Sequence, residues 1–250
     1  EFEQMEMQFF VKPGEEMQWY EHWKLKRMRW HNALGLGPKK YRFHEHLNLA
    51  HYANAACDIE FEFPMGFKEL EGIHSRTDFD LTAHEKLSGK KLRYFDPQEN
   101  ESYVPYVVET SIGLDRMFLA LLSAAYQEEV LEDNSERIVL KLPAALAPSK
   151  VAVLPLMNKD GLPEKAQEIF KELKFDITAQ YDAKDAIGRR YRRQDAVGTP
   201  FCITVDHQSL KDDTVTIRER DSMKQKRIPK TDIKRVLEEN LNIKRLLKLI

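Results

Sequence analysis

The feature that most restricts the fold is a change of character at LPAALAPSK (142–150). Two prolines and several small residues separate a strand-like RIVLKL from a fresh apolar strand, VAVLPL. Proline fixes φ and has no backbone donor, so helix and sheet interiors do not run through such a stretch. The charge balance also changes there. Residues 1–146 hold 17 Lys and Arg against 25 Asp and Glu, a balance of −8. Residues 147–250 hold 22 against 16, a balance of +6. A chain of 250 residues that is 42% hydrophobic can build two ordinary cores. One acidic and one basic half then imply two domains, 1–146 and 147–250, with different partners.

Several classes are excluded early. No apolar run approaches membrane length, and no charged-then-apolar leader is present. Cys57 and Cys202 lie far apart without a CxxC, which argues against a disulfide framework or a zinc ribbon and favours a reducing compartment.

EFEQMEMQFFV opens the chain and alternates at once, with Met5, Met7 and Phe9 on one face and Gln4, Glu6 and Gln8 on the other. It reads as a strand (2–11) already under way, so a fragment cut inside a domain is expected. A polar, Trp-rich helix is expected over 15–34 and a second helical stretch over 45–56. Strands follow at 57–63 and 67–74, with a hairpin-like pair near 91–96 and 104–109. After Gly113, apolar residues at 114, 117, 118, 121, 122 and 125 carry a helical period. This half reads as antiparallel strands backed by helices. The second half alternates strand and helix from 151 to 246, which predicts a three-layer α/β unit.

Four tracts carry candidate chemistry. ETSIGLDR (109–116) gathers Glu109, Ser111 and Arg116 where a strand meets a helix, a place suited to anions. The plain alternative is a Ser111 cap and a surface pair of Arg116 with Asp115 or Glu109. ELEGIHSRTDFD (69–80) places Glu69 and Glu71 two apart, hence on one strand face, where a cation such as Mg²⁺ would relieve their repulsion. Arg76 follows; the alternative is a solvated edge strand. HEHLNLAH brings His44, Glu45, His46 and His51 together, but the spacing does not suit HExxH on a helix, and packing explains it better than zinc. RRYRRQDAVGTP (189–200) puts Arg189, Arg192 and Arg193 on one helix side, as a phosphate backbone would require, although such runs are commonly solvated.

Taken together, these tracts resemble the homodimeric class II glycyl-tRNA synthetases. YVVETSIGLDR resembles class II motif 3, and EFEQMEMQFFV resembles the strand closing motif 2. RFHEHLNLAHYANAACDIEFEFPMGF and FKELEGIHSRTDFDL resemble the segments between them, and 150–247 resembles the anticodon-binding domain shared with the histidyl, prolyl and threonyl enzymes. The resemblance implies an incomplete α+β catalytic part, an antiparallel sheet with helices, followed by an α/β three-layer anticodon-binding domain with a mixed sheet. It implies a glycine–tRNA ligase: ATP-dependent formation of glycyl-adenylate, then transfer to the tRNA 3′ end.

Carried over by position, Glu6, Glu109 and Ser111 hold glycine. Glu69, Glu71, Arg76, Gly113 and Arg116 hold ATP, with Mg²⁺ at Glu69 through the nucleotide. Glu69 and Arg116 serve catalysis, and Arg189, Arg192 and Arg193 face tRNA(Gly). A cytoplasmic homodimer is implied for the intact enzyme. Thr110 stands where the family has Pro, with little effect expected. Motif 1 and the motif 2 loop are missing, so the chain is expected to be inactive alone. The alternative is a non-catalytic, synthetase-like nucleic-acid-binding or accessory protein.

Overall fold

The computed structural model describes residues 3–248. The chain divides at Ser123/Ala124 into two compact units. The first contains β1 (Gln4–Val11), α1 (Glu16–Ala33), β2 (Tyr41–Glu45), β3 (Ala55–Phe63), β4 (Gly66–Ser75), α2 (Phe79–Ser88), β5 (Tyr94–Asp96), β6 (Glu101–Tyr103) and β7 (Tyr106–Gly113), and α3 (Leu114–Ala125) follows. Five of these strands form an antiparallel sheet in the order β1-β7-β4-β3-β2.

One face of this sheet is covered by α1. Trp19 and Trp23 pack on Phe9 of β1, at ring-centroid distances of 4.7 and 5.4 Å. The same helix is held by polar groups: Lys24 Nζ meets Glu45 at 2.7 Å, while Arg27 and His31 both bond Glu71. This explains how so polar a helix docks on a sheet.

Two sequence expectations change here, and one element is new. The 45–56 stretch is not helical: β2 ends at Glu45 and β3 begins at Ala55. Leu47 and Leu49 are 95% and 42% exposed, so no apolar helix face existed to bury. The hairpin near 91–109 is instead β5 with β6. Asp96 accepts the Gln98 N–H at 2.8 Å and closes that turn, and Pro105 separates β6 from β7, which joins the main sheet. Helix α2 was not anticipated; it ends at Gly89, whose φ of 69° suits a residue without Cβ. Phe2, expected in the first strand, lies outside the described residues.

The second unit contains a hairpin of β8 (Tyr126–Val130) and β9 (Glu136–Leu140), then β10 (Val151–Pro155), α4 (Leu162–Leu173), β11 (Ala179–Tyr181), α5 (Ile187–Ala196), β12 (Phe201–Val205), α6 (Ser209–Asp212), β13 (Thr214–Glu219), β14 (Gln225–Pro229), α7 (Ile233–Leu241) and α8 (Lys244–Leu247). Its sheet order is β11-β10-β12-β13-β14, parallel across the first three strands and antiparallel across the rest. Helix α4 buries Leu162, Ala166, Ile169 and Leu173, a single helical stripe. That stripe, with Ile233 and Leu237 of α7, packs on Val151, Val153, Ile203 and Val205. Ile187 and Tyr191 of α5 cover the opposite side at Ala152, Leu154 and Cys202. The result is the three layers expected from the alternating pattern.

The β8–β9 hairpin precedes the proline-containing boundary read from sequence, yet it packs in the second unit. Buried Arg137 of β9 donates to Asp195 of α5 at 2.9 Å, and Arg218 of β13 reaches the same carboxylate at 2.8 and 3.0 Å. Arg137 also bonds the Arg220 carbonyl.

Candidate functional site

The face of the first sheet opposite α1 carries the candidate chemistry. In an antiparallel sheet, directly paired residues project to the same side. Glu6 pairs with Ser111, Ser111 with Gly72, Gly72 with Asp58, and Asp58 with His44. This is one row across all five strands. The next row runs Gln8, Glu109, His74 and Ala56. Register alone therefore gathers Glu6, Ser111 and Glu109, the three residues expected to hold glycine.

Glu109 is only 6% exposed and is held firmly. Arg76 Nη1 donates to both of its carboxylate oxygens at 3.1 Å, and the Gln8 amide donates to Oε2. Arg76 is itself fixed by Asp80 at 2.8 Å and lies over the Tyr52 ring, 4.5 Å from its centroid. Gln4 donates to the Ser111 hydroxyl. Glu6 is exposed beside them. Two carboxylates flanking a hydroxyl make an acceptor-rich patch that suits a small ammonium group. Arg76 thus joins the Glu109 side of the face as a positioning cation. Burial holds the His74 imidazole below its ordinary range, against the opposing pull of Glu109.

Glu69 and Glu71 do not share a face. Ile59 pairs with Glu71 but Glu60 pairs with Glu69, so Leu70 is an extra residue in β4. Such a bulge resets the alternation. Glu69 stays on the open face with Glu60. Glu71 turns toward α1, fully buried, and takes Arg27 and His31 as partners. The paired-carboxylate magnesium reading therefore has no geometric basis, and Glu71 belongs to the α1 anchor.

Glu69 instead meets Arg116 at 3.1 Å, and Arg116 also donates to the Glu69 carbonyl at 3.2 Å. Glu109, by contrast, is taken by Arg76. The pair borders a cavity of 360 Å³ lined also by Phe63, Met65, Lys68 and Leu119. Apolar walls with one guanidinium and one carboxylate suit a flat base bearing phosphates with their cation. Gly113 ends β7 and borders a separate cavity with Trp30 and Met117. Thr110 sits extended in mid-strand, paired with Met7 and Ile73.

In the second unit the arginine run of α5 separates by role. Arg190 is buried and donates to the Asp185 and Pro155 carbonyls. Arg193 is ion-paired with Asp182 and Asp185, each at 2.8 Å. Arg189 is exposed and Arg192 half-buried. Sequence reasoning missed Gln4, Gln8, Asp58, Gly72 and His74 on the open face. The alternation of β1 was the signal for the two glutamines; the others needed the register of β3 and β4.

Among solved structures, a prolyl-tRNA synthetase from Giardia lamblia in complex with prolyl-adenylate matches 98% of this chain and 51% of its own, with a TM-score of 0.64 at 18% identity. The fold is accordingly class II synthetase-like: an antiparallel sheet with helices, joined to a mixed-sheet domain. Residues 150–240 match the anticodon binding domain family. Over most of its length the chain is similar to glycine–tRNA ligases. It is 55% identical to that of Chlorobaculum tepidum over 91% of this chain and 48% of the relative. It is 53% identical to that of Treponema denticola over 98% of this chain and 56% of the relative. The chain thus spans about half the length of the curated relatives it matches.

Proposed function

We propose that this chain carries the glycine-facing sheet, part of the ATP site and the anticodon-binding domain of a cytoplasmic, homodimeric glycine–tRNA ligase. The observation that carries this reading is the convergence of Glu6, Ser111 and Glu109 on one open face, beside the Glu69–Arg116 cavity. The similarity to glycine–tRNA ligases supports it.

Glycine offers no side chain to recognise, so the site must hold the ammonium group and exclude anything larger. Glu6 and Glu109 accept the ammonium protons, and Ser111 orients the group between them. Arg76 and Gln8 keep the Glu109 carboxylate from turning away. Exclusion rests on close walls, because a methyl group shifts affinity only modestly unless it clashes. When bound, ATP with Mg²⁺ would supply the adenylyl group that the glycine carboxylate takes, with pyrophosphate leaving. The residues present fit it: Arg116 would meet phosphate oxygens, Glu69 the cation, and Phe63, Met65 and Leu119 the base. In the free chain Arg116 and Glu69 neutralise each other, an exposed pair that costs little to separate. Arg189 and Arg192 remain as candidate tRNA contacts.

The test is amino-acid-dependent ATP–pyrophosphate exchange with glycine, alanine and serine. It compares this chain with the protein expressed from its complete reading frame. Glycine-only exchange by the latter, and none by the 250-residue chain, is the expected result. A folded complete protein without exchange for any amino acid would shift the reading to a non-catalytic nucleic-acid-binding protein.

A further inference from the structure

The open face holds a second cluster, beside the glycine-facing residues. His46 Nε2 lies 2.9 Å from Asp58 Oδ2, and His74 completes a trio whose donor atoms all fall within 4.8 Å of one another. Each comes from a different chain segment of the sheet. His46 follows β2, with its N–H on the Ala56 carbonyl at 3.0 Å; Asp58 is in β3 and His74 in β4. The backbone therefore fixes where the three side chains start.

Gly72, the cross-strand partner of Asp58, explains why they meet. A Cβ at position 72 would come within 2.9 Å of His74 Cε1, so the imidazole lies directly over this glycine. The His46 and His74 rings stand 6.1 Å apart at 69°, edge to face rather than stacked. His74 Nδ1 stands 3.8 Å from Glu109 Oε1, a charge contact longer than a hydrogen bond.

We propose that His46, Asp58 and His74 form a binding site for a zinc-class divalent cation, with a fourth position open to solvent. Two imidazoles and one carboxylate are borderline donors, suited to Zn²⁺, Co²⁺ or Ni²⁺ and poorly suited to Mg²⁺ or Ca²⁺. Ligands at about 2.1 Å around a tetrahedral ion stand roughly 3.4 Å from one another. The present separations, from 2.9 Å up to 4.8 Å, bracket that value. The side chains of His46, Asp58 and His74 are 34%, 15% and 24% exposed, so an ion has a route in.

The experiment is titration of the chelator-stripped chain with ZnCl₂ by calorimetry, and with CoCl₂ by visible absorption. One equivalent should bind at micromolar or tighter dissociation constant, with cobalt bands of a four- or five-coordinate ion, while MgCl₂ gives no heat. His46→Ala and His74→Ala should each weaken zinc binding at least tenfold. Gly72→Ala should also weaken it by displacing the His74 ring. His84→Ala, an exposed histidine outside the cluster, should leave it unchanged. Absence of saturable zinc binding by the native chain overturns the proposal. So does binding that survives both histidine substitutions, which would place the ion elsewhere. Should circular dichroism show His74→Ala unfolded, the more exposed His46→Ala decides alone.

Discussion

At the scale of single residues, Glu69 and Glu71 show how one extra residue assigns chemistry. Identical side chains two positions apart end on opposite faces because Leu70 bulges between them. Glu71 lies fully buried against Arg27 and His31, whereas Glu69 and Arg116 are about half exposed. Removing one partner of a buried ion pair strands the others in low dielectric, at about 3 kcal/mol. An exposed pair is worth under about 1 kcal/mol. Glu71→Gln should therefore lower the urea midpoint of this chain markedly, and Glu69→Gln should barely move it. Equal effects of the two substitutions would remove the anchoring role assigned to Glu71. The bulge itself was not legible in ELEGI, since only the pairing with β3 reveals the unpaired residue.

At the scale of elements, the polar contacts decide attachments that apolar patterning leaves open. Helix α4 needs no more than its buried stripe. Helix α1 adds buried charges to its aromatic packing, and the β8–β9 hairpin is tied by them. Asp195 of α5 receives Arg137 of β9 and Arg218 of β13, and all three side chains are at most 5% exposed. Asp195→Ala leaves two guanidinium groups without their shared carboxylate. We expect a loss of about 3 kcal/mol, read as a lower thermal midpoint of the second unit, with β9 amides exchanging faster. A change below about 1 kcal/mol would mean that packing, rather than this network, holds the hairpin. The division at Ser123/Ala124 was hidden from sequence for the same reason. The prolines of 142–150 mark a break in regular structure, but Asp195 lies over 50 residues beyond the arginine it captures.

At the scale of the whole molecule, the balance of +6 in residues 147–250 bears on tRNA. Arg190 and Arg193 are committed to internal partners, so fewer cations face outward than RRYRR suggests. With about three phosphates neutralised, raising salt from roughly 50 to 200 mM should weaken tRNA(Gly) binding roughly 20- to 40-fold. Arg189→Ala should flatten that salt slope by nearly one unit. Filter binding of this chain to tRNA(Gly), and to the same tRNA with a changed anticodon, checks both points. Salt-independent binding, or equal affinity for the two tRNAs, would oppose recognition of the anticodon by this unit. Among the described residues no helix is long and apolar enough to cross a membrane.

Local pattern was enough for much of the architecture. The 3.6-residue stripe of α4, the alternation of β1 and the strand–helix order after 151 are set by near neighbours, and they survived folding. Glu109 and Ser111 stood together in one tract, but Glu6 joined them only through the resemblance, and their meeting on one face rests on the pairing of β1 with β7. Tertiary structure alone decided the rest. His46, Asp58 and His74 are spread over 29 positions, and HEHLNLAH by itself argued against a metal. They meet because cross-strand register places residues distant in sequence about 5 Å apart, a distance no local spacing encodes. The fate of Glu71 was decided likewise: a bulge is defined by its partner strand, and a buried carboxylate by the cations that another element brings to it.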